Sequence, residues 1–289
     1  MSKPCPGAPK PTAPSFEMPP GATDCHVHVI GPYSRYPIAE ERAYTAPEAP
    51  LPVFREMLRT MGLDRAVIAH VSTHGTDLRV TLDAIAEIGD STRGTIMLTQ
   101  SMTDADLKQL HAQGIRGVRL AAAFGYPVTK DTLHDAARRI ADLGWHIAIW
   151  PGSADEVKLI AQASVGLPVP IVLDHLAANA WDRNQGVDQD GFATLLSFLS
   201  SGRAYLKLSA MHRATPEIFP WPTLMPFGEK LVAEVPESLL WASDWPHVGC
   251  WDGNMPESSH LLDWLPRLGA DAEKRQRILV DNPARLYGF

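Results

Sequence analysis

Short apolar runs alternate with segments of helical spacing along most of the chain. Runs rich in β-branched and other apolar residues begin at positions 22, 65, 92, 117, 146, 170, 204 and 239. Most are too continuously apolar for strands with one solvated face and are typical of parallel strands buried on both faces. The pattern therefore predicts a parallel sheet covered by helices.

The intervening segments carry helix signals. Apolar stripes at helical spacing span residues 53–61 and 133–143, and each is followed by glycine. Ser153 with Glu156, and "TDAD" at 103, favour helix starts. Strand and helix repeated eight times predict a (β/α)8 TIM barrel, an α/β fold that takes about 250 residues. A doubly wound open sheet is the alternative, although no GxGxxG follows the first strand.

The domain organisation follows from the same pattern. No linker divides residues 22–289, which we expect to form one barrel domain. Residues 1–21 contain seven prolines and no apolar signal-peptide core, and we expect an extended or poorly ordered arm lying over that domain.

Composition narrows the class of protein. Of the 289 residues, 45% are hydrophobic, and the net charge of -7 with scattered Lys and Arg argues against a nucleic-acid partner. No apolar run is long enough to span a membrane.

Three widely spaced cysteines, Cys5, Cys25 and Cys250, fit neither a disulfide framework nor a metal knuckle, which favours a cytoplasmic protein with reduced thiols. The arm and eight tryptophans leave room for a homodimer.

Polar residues interrupt the first strand, "TDCHVHVIG". Strict alternation puts Asp24, His26 and His28 on one face, and Cys25 and the valines on the other, against helices. A lone histidine would be interpreted as structural. Two histidines beside an aspartate, directed into the barrel, instead predict a functional site.

Two later strands end in comparable groups. In "LLWASDWPH", Asp244 falls at the carboxyl-terminal rim, where barrel enzymes carry their active sites, although it could also cap a helix before Pro246. In "IVLDHL", we expect His175 to face inward and Asp174 to support it or to face the helices.

Cationic and aromatic side chains complete the candidate pocket. Arg119 and Arg213 could bind a substrate carboxylate through the planar guanidinium, although structural ion pairs explain most arginines. Lys207 could instead be a cation of the barrel wall, paired with Asp174 or Asp244. Further candidates for the pocket lining, or equally for loop positions, are Tyr44, Ser72, His74 and Trp150.

Several motifs in this order resemble the amidohydrolase superfamily, in the branch of 2-pyrone-4,6-dicarboxylate lactonases. They include "GATDCHVHVIGPYSRYP", "HGTDLRVTLDAIAEI", "GVRL", "GWHIAIW", "LDHLA", "LLWASDWPH" and "DNPARLYGF". The resemblance implies a barrel lactonase of aromatic-compound catabolism that acts on carboxylated ring lactones, in several members without a metal. It matches His26, His28, His175 and Asp244 to catalytic positions and Arg119 and Arg213 to substrate-binding arginines, with Tyr44 and Trp150 nearby.

One departure concerns the substrate. The pyrone dicarboxylate branch has a further arginine shortly after the fourth strand, where this chain reads "AAAFGYP". A small anionic lactone is expected, and pyrone dicarboxylates, muconolactones and sugar-acid lactones stay open as alternatives.

The hypothesis is that Asp244 deprotonates the attacking water while His26, His28 and His175 polarise the lactone carbonyl, with no cofactor required. A rival hypothesis places a single divalent metal such as zinc on His26, His28 and Asp244. Arg119 at the fourth strand argues against a two-metal site. The same residues would also be compatible with a decarboxylase of this superfamily or with a catalytically inactive binding barrel.

Overall fold

Eight parallel strands form a nearly closed barrel in the computed structural model, which describes residues 3–251 and 254–289. The strands, β1 to β8, are Thr23–Val27, Arg65–Ala69, Thr92–Met97, Ile115–Arg119, His146–Ile149, Ile171–Leu173, Ala204–Leu208 and Leu239–Trp241. Each pairs with the next in sequence, and the two edges meet where the Asp244 amide donates to the His26 carbonyl at 2.9 Å. The predicted (β/α)8 barrel is confirmed.

Helices surround this sheet. The α-helices, α1 to α11, are Leu51–Met61, Arg79–Ile88, Asp104–Ala112, Lys130–Ile140, Ala154–Ala163, Asp190–Ser200, Met211–Ala214, Met225–Glu234, Ser258–Arg267, Ala272–Gln276 and Asn282–Tyr287. Short 3-10 turns span Ser72–His74, Ala122–Phe124, Ala141–Leu143, His175–Ala180, Arg183–Gln185 and Pro236–Ser238, and Arg277–Asp281 is a π turn. Within the described ranges, no helix combines the length and apolar character needed to cross a membrane.

Local capping positions the helices as expected. Thr103 and Asp106 form a complete capping box at α3. Ser153 caps α5 by accepting from the Glu156 amide, although the Glu156 carboxylate binds the Gly152 amide instead of closing the box. The stripe predicted over residues 133–143 is helical only to Ile140, because the chain tightens into a 3-10 turn before its glycine.

The first strand departs from strict alternation. Asp24 pairs with Ala66 and Val27 with Ile68, so β1 carries one extra residue at an irregularity that lies between Asp24 and Val27. Cys25 consequently packs in the barrel interior, and the predicted shared face of Asp24, His26 and His28 is wrong.

Small and apolar side chains fill the amino-terminal part of the barrel interior. An inner cluster consists of Cys25, Val67, Ala148, Val172, Leu240 and Ala242 with Leu286 and Tyr287 of the carboxyl-terminal segment. Phe289 stacks against Arg65 and Arg93, which lie at the amino-terminal ends of β2 and β3. The carboxyl-terminal segment therefore closes the amino-terminal end of the barrel.

Residues 3–21 run along the outside of the barrel, from the carboxyl-terminal ends of the strands at Cys5 to the amino-terminal ends at Gly21, whose amide donates to Asp64 at 2.7 Å. The Cys5 amide donates to the Thr45 carbonyl at 2.8 Å, and the Gly249 amide lies 3.2 Å from the Cys5 sulfur. Further along, the Ser15 hydroxyl donates to Asp263 in α9. This arm links the loop after β1 with the loop after β8.

Candidate active site

A cavity of about 330 Å³ opens at the carboxyl-terminal ends of the strands. Its polar lining consists of His26, His28, Tyr44, Ser72, Arg119, His175, Arg213 and Asp244. Its remaining lining consists of Val71, Met97, Trp150, Val248, Gly249 and Trp251. The volume suits a small molecule, and the position is the one at which TIM-barrel enzymes act.

Asp244 lies at the centre of the polar lining. Its Oδ1 is 3.8 Å from Nε2 of His26, 3.5 Å from Nε2 of His28 and 3.9 Å from Nε2 of His175. The chain leaves β8 three residues earlier and adopts a left-handed φ of 61° at Asp244. This turn brings the carboxylate to the cavity floor, with 1% of the residue exposed.

Arg213 controls the charge of this carboxylate. Its Nε and Nη2 contact Oδ2 of Asp244 at 3.2 and 3.1 Å. Burial alone would raise the pKa of Asp244, but Arg213 and the imidazoles outweigh burial and hold it well below the usual range. Asp244 is therefore ionised at neutral pH, as a general base must be.

Two of the histidines around Asp244, His26 and His175, also have a lowered pKa, which for an imidazole favours the neutral form. Burial, reinforced by the nearby Lys207 ammonium, holds the pKa of His26 well below its ordinary value. Burial lowers the pKa of His175 to about 4. Both rings are thus neutral at pH 7 and can act as hydrogen-bond donors or acceptors.

A second buried carboxylate lies beneath this group. Asp174 contacts Nζ of Lys207 at 2.9 Å, Nη2 of Arg119 at 3.3 Å and Nδ1 of His26 at 3.5 Å. His175 also faces the cavity, because its φ of 55° breaks the strand geometry at this point. His175 faces inward as expected, and Asp174 supports the site from the barrel interior and does not face the helices. The pairing of Lys207 with Asp174 is confirmed.

Asp24 has a different neighbourhood from that of Asp174 and Asp244. Its carboxylate accepts from the Ser243 hydroxyl at 2.5 Å and from the amides of Ser243 and His26 at 3.1 Å. Burial raises its pKa to about 6. Asp24 thus ties the end of β8 to β1 and does not line the cavity.

Of the remaining predicted residues, some line the cavity and one supports a loop outside it. Tyr44 and Ser72 meet at the cavity rim with their hydroxyl oxygens 3.5 Å apart. His74 lies outside the cavity lining, where Nδ1 bonds the Pro37 carbonyl and Nε2 faces the Gly31 amide. His74 therefore anchors the loop after β1, and the prediction that it lines the pocket is wrong.

Aromatic side chains form the outer wall. Trp150 is 44% exposed, packs edge-on against His175 and lies beside the Arg213 guanidinium. Met97 and Trp251 were missed in the sequence. Trp251 was predictable from the sequence, because it lies in the loop after β8, and that loop starts at the carboxyl-terminal end of the barrel, where Asp244 also lies.

Two groups of buried side chains have potential metal ligands within 4.8 Å of one another: His26, Asp174 and His175, and His26, His28 and Asp244. In the first group, the Lys207 ammonium already contacts Asp174 and Nδ1 of His26, at 2.9 and 3.1 Å. A second cation does not fit there. The second group has ligand types and spacing that could hold a divalent ion.

Comparisons with known proteins agree with this geometry. The amidohydrolase family profile matches residues 23–289. The 2-pyrone-4,6-dicarboxylate hydrolase of Comamonas testosteroni is 35% identical over 288 residues, which cover 96% of this chain and 93% of that protein. The 4-sulfomuconolactone hydrolase of Rhizobium radiobacter is 34% identical over 293 residues, covering 99% and 96%. An apo crystal structure from Agrobacterium tumefaciens, 23% identical, has the same fold at a TM-score of 0.80, covering 96% and 97%.

Proposed function

The chain belongs to the amidohydrolase family and is an enzyme of lactone chemistry within it, and we propose that it hydrolyses a carboxylated ring lactone with Asp244 as the general base. One observation carries the proposal. Asp244 Oδ1 lies 3.5 to 3.9 Å from three imidazole nitrogens on the floor of a cavity that also holds two guanidinium groups.

Asp244 supplies the proton transfers. The ionised carboxylate removes one proton from a water molecule as its oxygen bonds to the lactone carbonyl carbon. The tetrahedral intermediate then collapses, the bond to the ring oxygen breaks, and that oxygen takes the same proton from Asp244. The product is an open-chain hydroxy acid or its keto tautomer, and ionisation of the new carboxyl group releases one proton to solvent.

The imidazoles stabilise the negative charge that develops on the carbonyl oxygen. His26 and His175 are buried and neutral, so each can offer an N–H donor in a site with little water. Donors fixed before the reaction need no reorganisation as the oxyanion forms, which makes their contribution larger than in water.

The arginines set the substrate class. Arg119 and Arg213 line the cavity, and each has N–H groups that its aspartate partner does not use, Nε and Nη1 in Arg119 and Nη1 in Arg213, to donate to a substrate carboxylate. The segment after β4, Ala121–Pro127, has no cationic residue. The two curated relatives are named for a pyrone dicarboxylate and a sulfomuconolactone, both anionic lactones. For this chain, a lactone with one ring carboxylate fits the cations best.

A substrate panel tests this function. Purified protein is assayed with a pyrone dicarboxylate, a muconolactone and sugar-acid lactones by release of acid to a pH indicator, with and without a chelator. We expect stoichiometric acid release, fastest for a lactone with one ring carboxylate and unchanged by the chelator.

Two results would contradict the proposal. Release of carbon dioxide without ring opening would indicate a decarboxylase, and activity abolished by the chelator and restored by zinc would indicate a metal-dependent hydrolase.

A further inference from the structure

Lys207 is a fully buried cation inside the barrel, directly below the cavity floor. Its Nζ lies 2.9 Å from Oδ1 of Asp174 and 3.1 Å from Nδ1 of His26. The ammonium has three donors and no lone pair, so Nδ1 of His26 can only accept a hydrogen from it. In the neutral ring, this contact favours the proton on Nε2, because a proton on Nδ1 would oppose the ammonium at 3.1 Å and would have the Asp174 oxygen only at 3.5 Å as an acceptor.

The Nε2 atom of His26 faces the cavity, 3.8 Å from Oδ1 of Asp244. We propose that Lys207 is a positioning residue that fixes His26 in the Nε2-protonated tautomer, so that the ring donates a hydrogen bond to the lactone carbonyl and cannot bind a metal through Nε2. The donor role rests on the proposed lactonase function. The tautomer and its effect on metal binding do not.

His28 provides an internal contrast. Its Nδ1 lies 2.7 Å from the Ala69 carbonyl oxygen, which can only accept, so Nδ1 of His28 carries a proton. In a neutral ring, Nε2 of His28 is then the lone-pair atom. When both rings are neutral, two histidines two residues apart thus face the same carboxylate with opposite tautomers, because a cation supports one ring and a carbonyl the other.

The difference between the His26 and His28 tautomers affects whether a metal can bind. A divalent ion on His26, His28 and Asp244 needs a lone pair on Nε2 of both rings. For His26, this requires a proton on Nδ1, which would then face the Lys207 ammonium at 3.1 Å, donor against donor, with an Asp174 oxygen as acceptor only at 3.5 Å. Lys207 therefore opposes metal binding at the group whose spacing otherwise suits it.

The experiment compares the full-length protein with Lys207→Met and Lys207→Gln. Long-range proton–nitrogen NMR of ¹⁵N-histidine-labelled protein identifies the tautomer of His26, and titration with Zn²⁺ and Co²⁺ measures metal affinity. Lys207→Met leaves Asp174 its contact with Arg119, so the carboxylate keeps a cation. Exposed Lys158 on α5 provides the matched control, Lys158→Met.

In the unsubstituted protein, we expect the Nε2-protonated form of His26. In Lys207→Met, we expect a mixture of tautomers, metal affinity at least about tenfold higher, and kcat lower by about 10²-fold with KM little changed. Lys207→Gln keeps a donor and should recover part of the original behaviour, and Lys158→Met should change nothing.

The inference is overturned if His26 carries its proton on Nδ1 in the unsubstituted protein, or if Lys207→Met changes neither tautomer nor metal affinity. Should the protein hydrolyse no lactone while the tautomer and metal results hold, the proposed function fails and the role of Lys207 stands.

Discussion

The two ends of the barrel interior are filled by different kinds of side chain. At the amino-terminal end, small and apolar side chains fill the space around Tyr287, and the interior is closed. At the carboxyl-terminal end, two aspartates and one lysine are comparably buried beside a cavity, and two partly buried arginines pair with the aspartates. Burying charge is costly unless each charge is paired, so this end keeps its shape only while the set of ions is complete. The closed end should therefore govern stability through packing, and the open end should govern activity through charge.

Among the substitutions that test this difference between the two ends, Asp244→Asn should have the largest effect on activity. Asp244→Asn removes the proposed base while keeping the size of the side chain, and kcat should fall by about 10³-fold or more. Steady-state kinetics on the best lactone of the panel measures the loss. Asp142→Asn, on an exposed turn after α4, is the control and should behave as the unsubstituted protein. Near-normal turnover of Asp244→Asn would refute the assignment of the base.

Asp174 shows whether the open end depends on paired charge for stability. Asp174→Ala leaves Lys207 without its 2.9 Å partner in a fully buried position, and we expect a loss of about 3–5 kcal/mol in the free energy of unfolding. Urea denaturation measures it. Glu87→Ala, which breaks an exposed pair with Arg55, should cost less than about 1 kcal/mol.

A double variant makes the test of Asp174 sharper. Asp174→Leu combined with Lys207→Met removes both charges, and it should recover most of the stability lost in Asp174→Ala. If the double variant is no more stable than the single one, the loss comes from packing or from Arg119, which also loses Asp174, and not from the unpaired lysine.

Gly117 tests packing at the closed end. A Cβ at this position would lie 2.2 Å from Cε1 of the buried His146 ring, so Gly117→Ala should cost about 1–3 kcal/mol of unfolding free energy. The catalytic constants of the folded variant should stay close to normal. Gly7→Ala, where nothing lies within 4 Å, is the control for the added methyl group. A large loss of kcat with unchanged stability would contradict the division between the two ends.

The smallest effect we predict is a shift in pH dependence. The base is active when deprotonated, and Arg213 holds its pKa well below the usual range, so kcat/KM should stay high until the pH falls below that range. Arg213→Gln removes the cation, raises the pKa of Asp244 and should move the acid limb of the profile upward by about one pH unit. Kinetics across the acid range, with Arg35→Gln as the surface control, measures the shift. An acid limb that stays in place would show that Arg213 does not set the charge of Asp244.

The sequence was sufficient for the fold and for much of the cavity. Buried parallel strands produce continuous apolar runs, and the loops after each barrel strand share one end, which is enough to bring Asp244, His175 and the first-strand histidines together. The roles of these residues stay predictions, because position alone does not establish chemistry.

The errors have local physical causes. One extra residue in β1 reversed the orientation of Cys25 and separated Asp24 from the histidines, and nothing in the strand pattern marks such an irregularity. The left-handed turn at His175 brought two consecutive side chains inward, against alternation. His74 has the residue type of a pocket residue, but its partners come from residues 31 and 37, in a loop whose course periodicity does not predict.

The arm holds two loops at the carboxyl-terminal end of the barrel together from outside the strands. Its link between the loops after β1 and β8 depends on a few contacts of residues 3–5, none of which belongs to the ladder of the eight strands. Releasing these contacts would free the two loops from each other without disturbing a single strand pair. The arm can therefore detach in a local opening that needs no global unfolding, and hydrogen exchange at the Cys5 amide would report that opening directly.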